Sequence, residues 1–233
     1  MARKRNIPFG RHFWTIVLRF LIWLLVRLEE HGAEQLPRTG AGIIYYNHIH
    51  WLDPVLINGT IRRYAVPLAK IEASRWPILG WLLRWYHVIF IRRGVVDRTA
   101  LQATWNVLAD GDISVISPEG TRSHDGKLQA AKEGLAYIAR RAPDAWLMPC
   151  AVTGTPTFES RLRKLLRPHV ILTYGRPFKL RWPEGNVGRE VLREMTDEAM
   201  AQLAALLPPE MRGDYAELVT KAEEPKWLEF LYV

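Results

Sequence analysis

Short runs of β-branched and aromatic residues alternate with segments of helical periodicity from residue 42 onward. Runs such as GIIYY and DISVIS are typical of buried strands. The predicted strands cover residues 42–46, 64–69, 87–91, 112–117, 146–152 and 169–175. The predicted helices cover residues 54–58, 77–85, 96–109, 132–142, 158–166 and 187–207. This alternation predicts a single α/β domain with a mostly parallel central sheet flanked by helices.

The first 35 residues have a different pattern, a basic start followed by the apolar run FWTIVLRFLIWLLVRL. A signal peptide is disfavoured, because Arg19 interrupts the run and Glu29 and Glu30 stand where small residues would mark a cleavage site. A spanning helix needs about 20 apolar residues, and the longest uncharged stretch, 20–26, has seven. We therefore expect an amphipathic helix in the membrane interface over residues 1–35, with the catalytic domain over 36–233. Packing of this helix on the domain is the alternative.

Composition narrows the class of protein and of partner. Hydrophobic residues at 48% and charged residues at 24% indicate a globular chain and exclude general disorder. The single cysteine, Cys150, excludes an internal disulfide and fits a reducing compartment. The net charge is +8, and residues 1–183 hold 27 Lys and Arg against 13 Asp and Glu. Such a balance calls for an anionic partner: nucleic acid, an anionic membrane surface or a phosphorylated substrate.

Polar residues with catalytic or binding chemistry follow four of the predicted strands. In open α/β sheets the ligand crevice lies outside the carboxyl ends of the strands. If most strands are parallel, one crevice collects these side chains. They are His48, Asp53, Lys70, Arg93, Glu119 and Arg122.

His48 and Asp53 are the candidate catalytic pair. On one helix they would point about 140° apart and would not meet. Pro54 predicts that Asp53 is a helix N-cap, so the turn before it can fold His48 back. One carboxylate oxygen would cap the helix, and the other would orient the imidazole and leave its second nitrogen free as a base. In the simpler alternative, Asp53 only caps the helix and His48 is an ordinary loop residue. A metal site of His48, His50 and Asp53 is disfavoured because no further His or Cys lies near in sequence.

The sequence PEGTRS at 118–123 is a candidate anion site. Gly120 permits a positive φ, and the amides of the turn can surround an anion. Arg122, together with Arg93 and Lys70, would add guanidinium and ammonium donors for a phosphate. A surface turn with an ordinary ion pair is the alternative.

Four ordered motifs together resemble one known family. The chain carries Asn47-His48-x4-Asp53, the run VIFIRR at 88–93, PEGTRS at 118–123 and the run LMPCAV at 147–152, with Ala69-Lys70-Ile71-Glu72 besides. Over residues 40–180 the chain resembles the lysophospholipid acyltransferase family. Trp51, Arg92 and Ser117 depart from residues common in that family, which leaves the acceptor open and keeps every catalytic group.

The resemblance implies transfer of an acyl group from acyl-CoA or acyl carrier protein to a lysophospholipid, with 1-acylglycerol-3-phosphate giving phosphatidic acid as the first expectation. In that reaction His48, oriented by Asp53, takes the proton of the acceptor hydroxyl, which attacks the thioester directly. Lys70, Arg93 and Arg122 would bind the acceptor phosphate, and residues 119–121 (Glu119, Gly120 and Thr121) would shape the acceptor site. Neither a metal nor a cofactor is expected beyond the acyl-carrying co-substrate.

Ten tryptophans favour a membrane surface over nucleic acid as the anionic partner. We expect a peripheral or monotopic protein on the cytoplasmic face of the cell membrane. Core packing is the alternative for the tryptophans. The predicted membrane contacts are Trp14, Arg19, Trp23, Trp76, Trp81 and Trp85. No helix-turn-helix, RNP-like or zinc pattern supports a nucleic-acid-binding module. The intact His48 and Asp53 argue against an inactive homologue.

Overall fold

A nine-stranded sheet forms the centre of the protein in a computed structural model that describes residues 9–92 and 94–232. The strands are β1 (Arg27–His31), β2 (Gly42–Tyr46), β3 (Ala65–Lys70), β4 (Ile89–Ile91), β5 (Ile113–Ile116), β6 (Trp146–Thr153), β7 (His169–Tyr174), β8 (Phe178–Leu180) and β9 (Leu228–Phe230). The α-helices are α1 (Phe9–Leu25), α2 (Asp53–Thr60), α3 (Pro77–Trp85), α4 (Arg98–Ala109), α5 (Gly134–Arg140), α6 (Phe158–Leu162) and α7 (Arg189–Ala205). The α/β class predicted from the alternation is confirmed.

Five adjacent strands are parallel, in the order β6-β2-β5-β3-β4. β7 and β8 run antiparallel to β6, and β1 lies beyond β7. The register sets Gly42 and Ala65 against the same residue, Ile113. Lys70, five residues after Ala65, is therefore level with Asn47, five residues after Gly42. The carboxyl ends of the parallel strands thus meet at one edge, as the strand-end argument requires.

Alternating residues of β2 divide the core into two layers. Ile43 and Tyr45 pack with residues of α5 and α7, whereas Ile44 and Tyr46 pack with residues of α1 and α2. Because side chains alternate across a strand, these helices cover opposite faces of the sheet. β2 is buried at every position, as expected for a parallel strand covered on both faces.

Of the predicted N-terminal helical segment, residues 1–8 lie outside the described residues, and residues 9–35 are only partly helical. α1 ends at Leu25, and β1 then pairs in parallel with β7, so residues 27–31 belong to the sheet. The predicted helical segment over 1–35 is corrected to this extent. Its charged sequence RLEEH lacks the apolar alternation that predicts a strand, but the exposed edge needs only backbone pairing. Among the described residues, no helix has both the length and the apolar character needed to cross a membrane.

Candidate active site

The loop between β2 and α2 holds His48 against Asp53. His48 Nδ1 lies 2.9 Å from Asp53 Oδ2, and Asp53 is fully buried. Because the partner is a carboxylate oxygen, Nδ1 donates and the neutral ring keeps Nε2 as its basic nitrogen. The His48 side chain is 9% exposed, and no hydrogen bond of Nε2 is found among the described residues. This is the geometry of a general base held by a carboxylate.

Asp53 orients the loop as well as the imidazole. Its Oδ2 also accepts the backbone N–H groups of Ile49 at 2.9 Å and His50 at 2.7 Å. The predicted N-cap role is wrong, because Asp53 is the first residue of α2 and its carboxylate turns back to the preceding loop. The N-cap position is Leu52, which makes no side-chain cap bond. The loop amides thus share Oδ2 with the His48 imidazole, and the other oxygen, Oδ1, accepts a hydrogen bond from Thr155 instead of capping the helix.

The segment after β6 completes the surroundings of this pair. Thr155 Oγ1 donates to Asp53 Oδ1 at 2.7 Å, and Thr155 is fully buried. The side-chain amide of Asn47 pairs with both backbone groups of Val152, donating at 2.9 Å and accepting at 2.7 Å. Sequence reasoning missed both contacts. Thr155 follows a predicted strand, so the rule that found the other strand-end residues also applies to it.

Glu119 joins the β5 loop to His48 through the backbone. Its Oε1 accepts the His48 N–H at 2.8 Å, and its Oε2 accepts the Gln129 N–H at 2.9 Å. The residue is 2% exposed. Burial raises the pKa of Glu119 to about 7, against the effect of the two amide hydrogen bonds, and the nearby Asp53 and Asp125 raise it further. Both oxygens are thus bound to backbone donors, and a direct contact with the acceptor stays a prediction.

The turn after β5 presents the remaining predicted acceptor residues. Gly120 has φ +71°, in the left-handed region that a glycine permits. Thr121 and Arg122 are exposed. The carbonyl of Arg122 accepts a bond from the Gln129 side chain at 3.3 Å, and its guanidinium has no ion pair within the described ranges. Arg122 is therefore placed to meet a ligand from solvent.

Lys132 is a further cation at this turn that sequence reasoning missed. A Cβ built on Gly120 would lie 3.1 Å from Lys132 Nζ, so the lysine side chain runs across the face of the glycine. The Lys132 N–H donates to the Pro118 carbonyl at 2.9 Å, which fixes its backbone on the same turn. The signal available in the sequence was weak, because Lys132 lies nine residues beyond PEGTRS.

The other two predicted phosphate ligands are Lys70, at the end of β3, and Arg93, which follows β4 in the sequence. Lys70 ends β3, two strands from β2 and hence roughly 10 Å to the side, with its Nζ 5.6 Å from the centre of the Trp76 ring. Arg93 lies outside the described residues, two positions after the end of β4. β4 pairs with β3 through Lys70 and Ile91. β4 thus ends at the same edge of the sheet as β3.

A second histidine of the loop takes a separate partner. His50 Nε2 lies 3.1 Å from each carboxylate oxygen of Glu159, and the Trp51 indole donates to Glu159 at 3.0 Å. His50 and His48 therefore contact different carboxylates. Within residues 9–92 and 94–232, no three His, Cys, Asp or Glu side chains are grouped as metal ligands.

An exposed apolar stripe runs along α1. It comprises Phe13, Ile16, Phe20, Trp23 and Leu24. These positions recur every three or four residues and so share one face. Trp76, Trp81 and Trp85 are about half exposed on and beside α3, and Trp14 contacts Trp81 edge-on at 5.6 Å between ring centres. Four of the predicted membrane residues are exposed tryptophans, whereas Trp14 is half-buried between α1 and α3.

Arg19 has protein partners. Its Nε donates to the Gly59 carbonyl at 2.8 Å and its Nη2 to the Ile61 carbonyl at 3.1 Å. These carbonyls lie at the end of α2, where a cation is favourable. The arginine thus attaches α1 to the domain, and its predicted lipid contact stays a prediction.

Known proteins that are similar to this chain are acyltransferases. A lyso-ornithine lipid O-acyltransferase of Rhodobacter capsulatus is 34% identical over 130 residues, which cover 53% of this chain and 45% of that protein. A 1-acyl-sn-glycerol-3-phosphate acyltransferase of Borreliella burgdorferi is 28% identical over 144 residues, covering 60% and 57%. The chain spans about half the length of the curated relatives it matches.

The fold and the family are matched as well. The crystal structure of the 1-acyl-sn-glycerophosphate acyltransferase PlsC from Thermotoga maritima superposes with a TM-score of 0.63 at 23% identity, covering 92% of this chain and 81% of that one, which shows a common fold. The profile of the Acyltransferase family matches residues 27–153, more than half of the chain and the range that contains His48, Asp53 and Glu119. The chain belongs to the Acyltransferase family.

Proposed function

We propose that the protein transfers a fatty acyl group from an acyl thioester to the free hydroxyl of a lysophospholipid. The observation that carries the proposal is the 2.9 Å contact between His48 Nδ1 and the buried Asp53 carboxylate at the carboxyl edge of a parallel sheet. Such a pair supplies a base that an alcohol nucleophile needs at neutral pH.

The reaction proceeds in one transfer. His48 Nε2 takes the hydroxyl proton while the acceptor oxygen attacks the thioester carbonyl. The carbon–sulfur bond breaks, and the leaving thiolate takes the proton back from the imidazolium. A cysteine nucleophile is disfavoured because Cys150 is fully buried, and burial raises the pKa of its thiol far above the usual range. Acyl-CoA and acyl carrier protein both meet this chemistry as donors.

The acceptor we propose first is 1-acylglycerol-3-phosphate, which gives phosphatidic acid. Support comes from the exposed Arg122 beside the turn of Gly120, the ammonium group of Lys70 on the same edge and the position of Arg93 in the sequence. A guanidinium group can donate two parallel hydrogen bonds to two oxygens of one phosphate. The relative from Borreliella burgdorferi carries the name of this activity.

A second acceptor has its own support. The two relatives at 34% identity, from Rhodobacter capsulatus and Rhizobium meliloti, are named lyso-ornithine lipid O-acyltransferases. Lyso-ornithine lipid is therefore the acceptor to compare with 1-acylglycerol-3-phosphate.

We further propose that the protein acts at a membrane surface as a peripheral enzyme. The apolar stripe of α1 and the exposed tryptophans of α3 form a surface suited to the interface, where the acceptor resides.

One assay tests the reaction and the acceptor together. Purified protein is given each lysolipid with acyl-CoA of several chain lengths or with acyl carrier protein, and thiol release is measured. His48→Ala should lower the rate about 10²–10⁴-fold and leave the thermal unfolding temperature close to that of wild type. A rate near wild type in this variant contradicts the proposal. Arg122→Ala should weaken the phosphate-bearing acceptor; weakening of the donor alone contradicts that role.

A further inference from the structure

An arginine-lined cavity lies away from the catalytic pair, between α1, β1 and the end of α2. Its volume is about 370 Å³. Thr60 lines it, whereas Asp53 begins the same helix, so about 10 Å of helix separates the cavity from the site. Its charged lining residues are Arg19, Arg62, Arg167 and Glu30.

Two of the arginines are held in place by backbone carbonyls. Arg19 donates to Gly59 and Ile61, as described above. Arg167 Nη2 donates to the carbonyls of Trp23 and Val26 at the end of α1. Each guanidinium keeps further N–H donors beyond these bonds. Fixed side chains lose little freedom when a ligand binds, which lowers the cost of binding.

The third arginine and the carboxylate complete the polar lining. Arg62 is exposed and has no hydrogen bond or ion pair among the described residues. Burial raises the pKa of Glu30, and the nearby Arg19 and Arg62 oppose that shift, so both arginines lie close to its carboxyl group. Three guanidinium groups face one carboxyl group, which leaves an excess of positive charge for an anion.

The cavity also borders the apolar stripe of α1. Trp23 belongs to both, and Ile22, Val26 and Leu28 add apolar walls. An anion with an attached hydrocarbon chain fits this combination, since the charge meets the arginines and the chain follows the stripe. A free phosphate would gain nothing from the apolar side.

We propose that this cavity binds the phosphate of an anionic phospholipid head group in the bilayer, separately from the acceptor at His48. The phosphate lies among Arg19, Arg62 and Arg167, and the acyl chains lie beside Trp23 and Phe20. The inference does not depend on acyl transfer, because lipid binding is measured without turnover.

The test is sedimentation with vesicles of phosphatidylcholine, with and without phosphatidylglycerol. Arg62→Gln should lower the affinity for the phosphatidylglycerol vesicles about tenfold, more than the roughly fivefold expected from one basic charge near a membrane. Arg189→Gln is the matched control, because Arg189 begins α7 on the opposite face of the sheet. It should change the affinity less than twofold. If the two variants lose affinity for the vesicles equally, the protein is attracted by its overall positive charge, and the proposal of a specific site is overturned.

Two further measurements separate a site from a charged surface. Glycerophosphoglycerol, the water-soluble head group, should compete with the vesicles for the wild-type protein and not for Arg62→Gln. Glu30→Gln should tighten binding because it removes the opposing carboxylate. Thermal unfolding checks that each variant is folded. Failure of the head group to compete, or weaker binding by Glu30→Gln, overturns the proposal.

Discussion

The Thr155 hydroxyl donates to Asp53 Oδ1 at 2.7 Å, and both residues are fully buried. Thr155→Val keeps the shape and removes the hydroxyl, so one carboxylate oxygen loses its donor. We expect a loss of about 1–3 kcal/mol in the free energy of unfolding and about a 10–100-fold lower kcat, because Asp53 orients the base.

Thr155→Ser is the matched control, since it retains the donor. Its kcat should stay within a few-fold of wild type. If the valine and serine variants have the same kcat, Thr155 acts only through packing.

Asp53→Asn tests the carboxylate itself. The carboxylate accepts four hydrogen bonds, from His48 Nδ1, two loop amides and the Thr155 hydroxyl. One end of an asparagine amide is an NH₂ group, which cannot accept, so the variant cannot keep all four bonds. We expect kcat to fall about 10²–10⁴-fold through loss of the correct tautomer and orientation. Thiol release measures the rate, and circular dichroism checks the fold. A folded variant with wild-type kcat would contradict the role of Asp53.

The raised pKa of Glu119 predicts that the free energy of unfolding depends on pH. Its pKa is raised from 4.5 to about 7 by burial, so the folded state holds the proton more tightly than the unfolded state. Its stabilising contribution is full below pH 4.5 and is lost as the pH rises towards 7, by about 3 kcal/mol in total.

Urea unfolding of wild type and Glu119→Gln at pH 4.5 and pH 8 measures this effect. The difference in unfolding free energy between the two proteins should fall by about 3 kcal/mol over that range. Glu190→Gln changes an exposed carboxylate on α7 and should show no such slope. A pH-independent difference for Glu119→Gln rules out the raised pKa.

Gly120→Ala separates backbone strain from the contact with Lys132. An alanine at φ +71° costs about 1–2 kcal/mol, and its Cβ, 3.1 Å from Lys132 Nζ, requires the end of the lysine side chain to shift slightly. Gly111→Ala is the control, because Gly111 has φ +79° and nothing within 4 Å of a built Cβ. Both variants should lose similar stability, but only Gly120→Ala should raise the acceptor KM. Unchanged KM in both would exclude Lys132 from acceptor binding.

The sheet could be predicted largely because its central strands are fully buried. β2 coincides with the predicted 42–46, since a run of apolar residues is itself the signal for a strand covered on both faces. The strands β1, β8 and β9 were not predicted, because RLEEH, FKL and LEF are charged or short and are determined by their partners. The predicted helix over 158–166 ends at Leu162.

The candidate catalytic pair was predictable from local spacing, and the residues that hold it in place were not. His48 and Asp53 are five residues apart, so a turn and a proline sufficed to place them together. Thr155, Asn47 and the amide contact of Glu119 depend on chain pairings across 71 to 105 residues. Polar residues of this kind have no periodic pattern, and their role depends on which strands become neighbours.

The pairing of Asn47 with Val152 has a consequence for biosynthesis. A ribosome has made Asn47, His48 and Asp53 long before it reaches Val152 and Thr155, which hold them. Until β6 inserts beside β2, the loop has neither its amide partner nor the second donor to its carboxylate. A nascent chain released before residue 155 therefore contains the histidine and the aspartate without the geometry that joins them. The hydrogen-bonded geometry of the pair is complete only after residue 155 has been synthesised.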